Sequence, residues 1–378
     1  MWWEFFLLFY SFLISIYLWY RYGLVFSSRP KKYPLNRKKV SVIVPVYNEE
    51  PGNLYKCIVS IMMARGEKEI IIVNDGSTKK ETVRCINFFR HYAIILHQKN
   101  KGKRHAQALG IRNSKHDIIV TIDSDTIVGK DSILELIKPL QDPEVGGVTG
   151  NVKLANKNQN LLTRAINSMY WTSFNIDRRG TSGYGFMPVC SGALAAYRKR
   201  LLLKLMPEYL TQNFLGSQCS VGDDRFITLN IQKKFGYEIK YQGRAVAYTY
   251  SPHTLRKFLR QLVRWKQSVI RETFLFRQGI FRNKLLFLDV WYNFIMSILS
   301  LVIRLHLLYL IIFEPLFLIN FSIVLVLLSG VFSVYMLFYN RKEFIYRIFY
   351  AILNETVLWI SFPIALINLH KQGKWGTR

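Results

Sequence analysis

The chain has 378 residues, of which 50% are apolar and 15% aromatic, so it can bury a core and is not a disordered polypeptide. Its formal charge of +28 fits a solvated surface with a positive-inside bias, an anionic membrane face or anionic substrates; nucleic acid is disfavoured, since no recognised binding motif accompanies the charge. Cys57, Cys85, Cys190 and Cys219 are scattered without CxxC spacing, which excludes a zinc knuckle or redox pair and fits reduced cytosolic thiols.

Residues 2–20 carry a single charge, Glu4, over a length that spans a hydrocarbon core. No small-residue cleavage site follows, so residues 1–22 are expected to be an anchor rather than a removed signal. Arg21, Arg29, Lys31, Lys32, Arg37, Lys38 and Lys39 come next, which puts this side in the cytosol and the N-terminus outside.

From 38 to 252 the texture is soluble. β-Branched runs at 40–46, 69–73, 93–96 and 118–122 each precede a turn-rich segment, with helix-like stretches between them. That alternation predicts an α/β domain with a mostly parallel sheet and its ligands beyond the carboxyl ends of the strands. Residues 253–282 are basic and aromatic, with Leu255, Phe258, Leu259, Leu262, Val263 and Trp265 at helical spacing, as in an amphipathic helix on a membrane surface. Within 285–340, two apolar stretches (285–312 and 316–339) are expected to cross the bilayer, joined outside through Glu314 and Pro315. The last apolar stretch, 343–369, holds Arg347, Asn354, Glu355 and Pro363. A crossing there would leave the basic tail, 370–378, outside, so an interfacial or re-entrant segment is expected, with a true span as the alternative.

Chemistry-bearing residues sit at the strand ends. Tyr47, in Pro45-Val46-Tyr47-Asn48-Glu49, offers a ring that can stack a nucleobase. Asp75, in Val73-Asn74-Asp75-Gly76-Ser77, can accept the N–H of a uracil or cap a helix. Asp123 and Asp125 flank Ser124 after a strand, a spacing that lets two carboxylates share a divalent cation and a diphosphate. Lys101 and Lys103, in Lys101-Gly102-Lys103-Arg104, can bind phosphate or form a surface charge cluster. In Gly222-Asp223-Asp224-Arg225, the arginine is expected to hold one acid ionised, as a general base on an acceptor hydroxyl requires. In Gln261-Leu262-Val263-Arg264-Trp265, the indole can stack a sugar or anchor at the interface, and Arg264 can pair with diphosphate. Trp375-Gly376-Thr377-Arg378 closes the chain.

Taken in this order, from Val40 to Arg378, these motifs resemble the processive membrane glycosyltransferases of family 2, and most nearly the hyaluronan synthases. GDDR followed by Thr228, Ser191-Gly192 with Tyr197-Arg198, Asp177-Arg178 and the terminal WGTR carry the finer likeness. The resemblance implies a GT-A fold with α-helical transmembrane and interfacial helices. It implies uracil held by Tyr47 and Asp75, Asp123 and Asp125 on Mg²⁺ or Mn²⁺ and diphosphate, and Asp224 as general base. Lys101, Lys103, Arg264, Trp375 and Arg378 would join the donor site. Asp177, Arg178, Cys190, Ser191, Gly192, Asp223, Arg225, Gln261 and Trp265 would face the acceptor. The implied donors are UDP-GlcNAc and UDP-GlcA, the product hyaluronan, and the location a plasma membrane crossed several times with the catalytic domain cytosolic. A chitin or poly-N-acetylglucosamine synthase is the alternative enzyme. A non-processive lipid-linked sugar transferase usually lacks QxxRW and WGTR. A non-catalytic membrane protein binding anionic lipid or nucleic acid has no use for three acids at 123, 125 and 224. No GxGxxG follows a strand, which speaks against a nicotinamide-binding protein. The chain departs from the family at Ala193 and Ala195 (usually Pro and Gly), at Cys190 directly against the serine, at Thr181 (usually Gln), and in its single leading anchor.

Overall fold

The computed structural model describes residues 2–28, 31–276, 284–313, 323, 325–327, 329–331 and 333–371. After helix α1 (Trp2–Ser27) come β1 (Val40–Val46), α2 (Pro51–Met63), β2 (Lys68–Asp75), α3 (Lys80–Phe88), β3 (Ile94–Gln98), α4 (Lys103–Arg112), β4 (Ile118–Thr121) and β5 (Ile127–Val128). Then follow α5 (Ser132–Ile137), β6 (Val145–Leu154), α6 (Leu161–Thr172), α7 (Arg179–Gly183), β7 (Ala195–Arg198) and α8 (Lys199–Thr211). The hairpin β8–β9 (Asn213–Phe214, Ser217–Gln218), α9 (Asp223–Phe235) and β10 (Glu238–Thr249) complete the domain.

The main sheet has the order β3-β2-β1-β4-β7-β6-β10-β5. β3, β2, β1 and β4 are mutually parallel, β7 runs antiparallel to both its neighbours, β10 is parallel to β6, and β5 is antiparallel to β10. Side chains alternate between faces every second residue. Val40, Val42, Val44 and Val46 therefore pack with Leu54, Cys57, Ile58 and Ile61 of α2. Ile43 faces the other way, with Ala106, Ala108 and Ile111 of α4 and with residues of α8 and α9. Gly110 lets α4 lie close: a Cβ there would stand 2.6 Å from Ile43 Cγ2. The motif-bearing loops lie at the carboxyl ends of β1, β2 and β4, as the alternation predicts.

Beyond the domain stand α10 (Leu255–Phe276), α11 (Lys284–Phe313), α12 (Tyr335–Tyr339), α13 (Phe344–Thr356) and α14 (Ser361–Ile367). Among the described residues, the stretch Lys284–Leu310 is long and apolar enough to cross a membrane. The segments Arg341–Thr356 and Leu358–Ile367 pass the same test as a pair, bent by 52°. Asn354 and Glu355 lie just before that bend and Pro363 follows it. The connector Glu314–Pro315 and much of 316–334 lie outside the described residues. α1, which holds the expected anchor, has 26 residues, about 39 Å of helix.

The amphipathic stripe of α10 differs from the expected lipid-facing surface helix. Phe258 and Leu262 pack against Ile166, Tyr350 and Leu358. Ile270 packs with Phe294, Phe362 and Ala365. Much of the stripe is thus covered by α6, α11, α13 and α14, and α10 joins the α/β domain to the apolar helices. α1 reaches the same junction: Tyr17 stacks on Tyr292 with ring centroids 4.7 Å apart, and Arg21 Nη2 lies 2.8 Å from Asp289 Oδ1.

Candidate active site

The loops after β1 and β2 are laced together by Asn48, which adopts a left-handed φ of 49°. Its side-chain carbonyl accepts the backbone N–H groups of Thr78 at 2.8 Å and Lys79 at 3.0 Å. Tyr47 stands beside this lace and is partly exposed. Asp75, at the end of β2, is fully buried. Its carboxylate accepts from Gln98 Nε2 at 2.6 Å and from the N–H groups of Lys101 and Gly102, both at 2.9 Å. The sequence offered uracil binding or helix capping for this acid; in the structure it holds the Lys101–Gly102 loop at the entry to α4.

That loop delivers Lys103 to the centre of the site. Its ammonium lies 2.7 Å from Asp123 Oδ1 and 3.1 Å from Asp223 Oδ2. Burial works against the cation, but Asp123 and Asp223 outweigh it and hold the ammonium above its ordinary range. One side chain from α4 therefore joins the acid after β4 to the acid that opens α9. Gly192 closes the third side: a Cβ there would meet Lys103 Nζ at 3.2 Å and Asp123 Oδ2 at 3.5 Å. Ser191 is set by its N–H, which donates to Thr149 Oγ1 at 3.0 Å. Cys190 N–H donates to Thr228 Oγ1 at 2.9 Å, and burial pushes its thiol up to about 11.

Ser124 donates to Glu49 Oε2 at 2.8 Å, which pins the DSD loop. The Asp123 side chain remains 24% exposed, whereas Asp125 is buried and takes a 3.4 Å bond from Thr249. Among the described residues no group of three His, Cys, Asp or Glu side chains converges. This hard-oxygen pair fits an ion such as Mg²⁺ or Mn²⁺, which takes one or two carboxylates and completes its shell with phosphate oxygens.

Gly222, at φ 74°, turns the chain into α9. Asp223 and Asp224 occupy the first turn, where the helix dipole favours negative charge. Their environments push them apart. Burial would raise Asp223, but Lys103 holds it below the usual carboxylate range. Asp224 is pushed up to about 6 by burial and by the charge of Asp223, with Lys103 and Arg225 opposing. Arg225, next door, opposes the rise of Asp224, while the acid held below the usual range is Asp223, and Lys103 holds it.

On the far side, Trp265 of α10 is 39% exposed and its ring lies 6.4 Å from that of Tyr170. Tyr170 is pushed up to about 12 by burial; Arg178 opposes and Asp123 adds to the rise, so the aromatic pair is within electrostatic reach of Asp123. Arg178 ends a π-helical stretch, Ser173–Arg178, and lies over the Phe174 ring at 4.1 Å. Asp177 points elsewhere, 4.0 Å from Arg21 Nε of α1. Gln261 and Arg264 lie on the Trp265 helix and are part-buried. Trp375 and Arg378 lie outside the described residues. Gln267 of α10 donates to the carbonyls of Asn368 at 2.8 Å and Lys371 at 3.2 Å, tying the chain just before them to the same helix.

Residues 41–206 match the model of Glycosyl transferase family 2. A hyaluronan synthase of Streptococcus pyogenes is 31% identical over 382 residues, covering 98% of this chain and 90% of that protein. The chain belongs to glycosyl transferase family 2. N-acetylglucosaminyltransferases of Bradyrhizobium diazoefficiens and Rhizobium meliloti are each 36% identical over 242 residues, 62% of this chain. The match spans only 50% and 57% of those two relatives. Among solved structures, the mannosyltransferase PcManGT from Pyrobaculum calidifontis, in complex with GDP-Man and Mn²⁺, superposes with a TM-score of 0.67. At 18% identity it covers 92% of this chain and 96% of its own. The family 2 fold here is thus GT-A, with β7 inserted antiparallel between β4 and β6.

Two groups of residues were given no role by the motif reading, although Asn48, Glu49 and Arg104 stand inside its motifs. Glu49 and Asn48 brace the loops, and Arg104, Arg271 and Glu272 lie buried behind Asp223. Their partners are remote in sequence, so no local pattern marks them.

Proposed function

We propose that this chain transfers sugars from UDP-sugars to a growing polysaccharide with inversion, at the cytosolic face of a membrane, and that the polymer leaves beside the apolar helices. The observation that carries this reading is the single ammonium of Lys103 shared between Asp123 and Asp223. It sets the acid expected at the donor diphosphate against the pair that contains the expected base.

Asp123, with Asp125 beneath it, would hold Mg²⁺ or Mn²⁺, and the ion would neutralise the departing diphosphate. Asp224 takes the proton from the acceptor hydroxyl as that oxygen attacks the anomeric carbon. Its raised affinity for protons suits a base that works near neutral pH. Asp223, locked to Lys103, keeps the local charge fixed while Asp224 cycles. Trp265 and Tyr170 give the acceptor sugar an aromatic ledge, and Gly192 leaves room for a ring beside Asp123.

Hyaluronan from UDP-GlcNAc and UDP-GlcA is the product favoured by the 98% coverage of the chain in the streptococcal match. A polymer of N-acetylglucosamine alone is the second reading, favoured by the higher identity, 36%, of the rhizobial enzymes. Purified protein supplied with each UDP-sugar singly and then together decides between them. Polymer only with both donors supports hyaluronan, and polymer from UDP-GlcNAc alone supports the second reading. No release of UDP under any combination would overturn the enzymatic proposal.

A further inference from the structure

We propose that Arg104, Gln212, Arg271 and Glu272 form a positioning ring that sets the Asp223–Asp224 turn against the donor and acceptor sides at once. The proposal rests on the transfer reading above and adds Gln212, Arg271 and Glu272, which no motif contains, to Arg104 of the Lys101–Arg104 motif.

The ring closes on one backbone atom, the carbonyl oxygen of Val221, immediately before Gly222. Arg104 Nη2 donates to it at 3.1 Å and Arg271 Nη2 at 2.7 Å. Arg104 Nη1 donates to Gln212 Oε1 at 2.8 Å, Gln212 Nε2 to Glu272 Oε1 at 3.0 Å, and Arg271 Nε to the same Oε1 at 2.9 Å. Five hydrogen bonds thus return to their starting atom. Arg104, Arg271 and Glu272 are 3%, 0% and 4% exposed. Burying two guanidiniums with one carboxylate is costly and is a poor source of stability in itself. A forked cation does provide direction, since guanidinium donors are planar and fixed.

The members come from three places. Arg104 directly follows Lys103 on α4, so the donor-side ammonium and this clamp share a helical turn. Arg271 and Glu272 sit on α10, below Gln261, Arg264 and Trp265. Gln212 links α8 to the β8 strand. Gly222 makes the fit tight: a Cβ there would run into Ser268 and come within 2.8 Å of Arg271 Nη2. The left-handed turn at Gly222 therefore has one seat, and the ring defines it. Arg104 also lies over the rings of Tyr209 and Phe226, at 5.0 and 5.4 Å from their centroids, which fixes its plane.

The test separates positioning from folding. Arg271→Lys keeps a cation but cannot serve Glu272 and Val221 in one plane. Gln212→Leu opens the ring at its least buried member. Each is measured as full-length protein in detergent for UDP release from UDP-GlcNAc plus UDP-GlcA, for donor KM, and for thermal midpoint. A misplaced base typically costs on the order of 100-fold in rate. The expected result is therefore a kcat loss of roughly 30- to 100-fold for Arg271→Lys and about 10-fold for Gln212→Leu, with donor KM within threefold and the loss present at temperatures well below each variant's own, somewhat lowered, midpoint. The double variant is expected to lose little more than Arg271→Lys alone, because a ring opened once is already open. Unchanged kcat in both variants, or losses that follow the thermal midpoint or KM, would overturn the ring while leaving the transfer reading intact. Absence of UDP release from the unsubstituted protein would instead remove the transfer reading.

Discussion

Two adjacent carboxylates with opposite proton affinities dominate the residue scale. Asp224, pushed up to about 6 by burial and Asp223, binds its proton more tightly folded than unfolded. Two consequences follow, with the sign set by linkage. The native state carries the extra proton between the ordinary carboxylate range and about pH 6, so this acid destabilises the fold as pH rises through that window. As the proposed base, Asp224 must be ionised, so kcat is expected to fall as pH drops through about 6, which a pH–rate profile at saturating donor measures. Asp224→Asn is expected to lower kcat by roughly 10³-fold or more while leaving donor KM within a factor of about two; normal polymer yield would refute the base assignment. Trp265→Ala removes the exposed half of the aromatic ledge. Shorter polymer at unchanged donor affinity is the expected result, read by sizing the product.

At the scale of elements, the parallel strands were legible because β-branched runs followed by turn residues have few other interpretations. Runs read at 40–46, 69–73, 93–96 and 118–122 became β1 to β4 with ends moved by a residue or two. The antiparallel insertion of β7 was not legible, since its partners β4 and β6 are fixed by tertiary packing. Of the site, the acids stood out through their spacing after strands. The partners of Asp75, the sharing of Lys103 between Asp123 and Asp223, and the apolar cover of α10 did not, because each depends on residues brought together from afar. Gly110 illustrates the same limit. Alanine is the better helix former by about 1 kcal/mol, yet a Cβ at 110 would collide with Ile43 and come within 3.1 Å of Val73. Gly110→Ala is therefore expected to destabilise by about 1–3 kcal/mol, seen as a lower thermal midpoint with an unaltered donor KM.

At the scale of the molecule, α1 and α11 meet through a buried ion pair. The side chains of Arg21 and Asp289 are 8% and 1% exposed. Removing Asp289 leaves the buried Arg21 cation with the more distant Asp177, and breaking a buried pair costs about 3–5 kcal/mol in comparable cases. Asp289→Ala is accordingly expected to lower heat stability in detergent more than Asp177→Ala, whose partner distance is 4.0 Å. A cation this deep in apolar helices is also where a functional role is expected. Product export measured in sealed vesicles, set beside UDP release, would separate a structural from a conducting role.

The lysine shared by Asp123 and Asp223 has a consequence for the protein at rest. Acids that gather around a metal usually repel one another once it is stripped away. Here the counter-charge of Asp123 is built into the chain, on α4, and would stay when the proposed ion leaves. A chelator should therefore silence such a protein without loosening it: catalysis stops, the melting curve stays in place, and added Mn²⁺ restores turnover at once with no refolding lag.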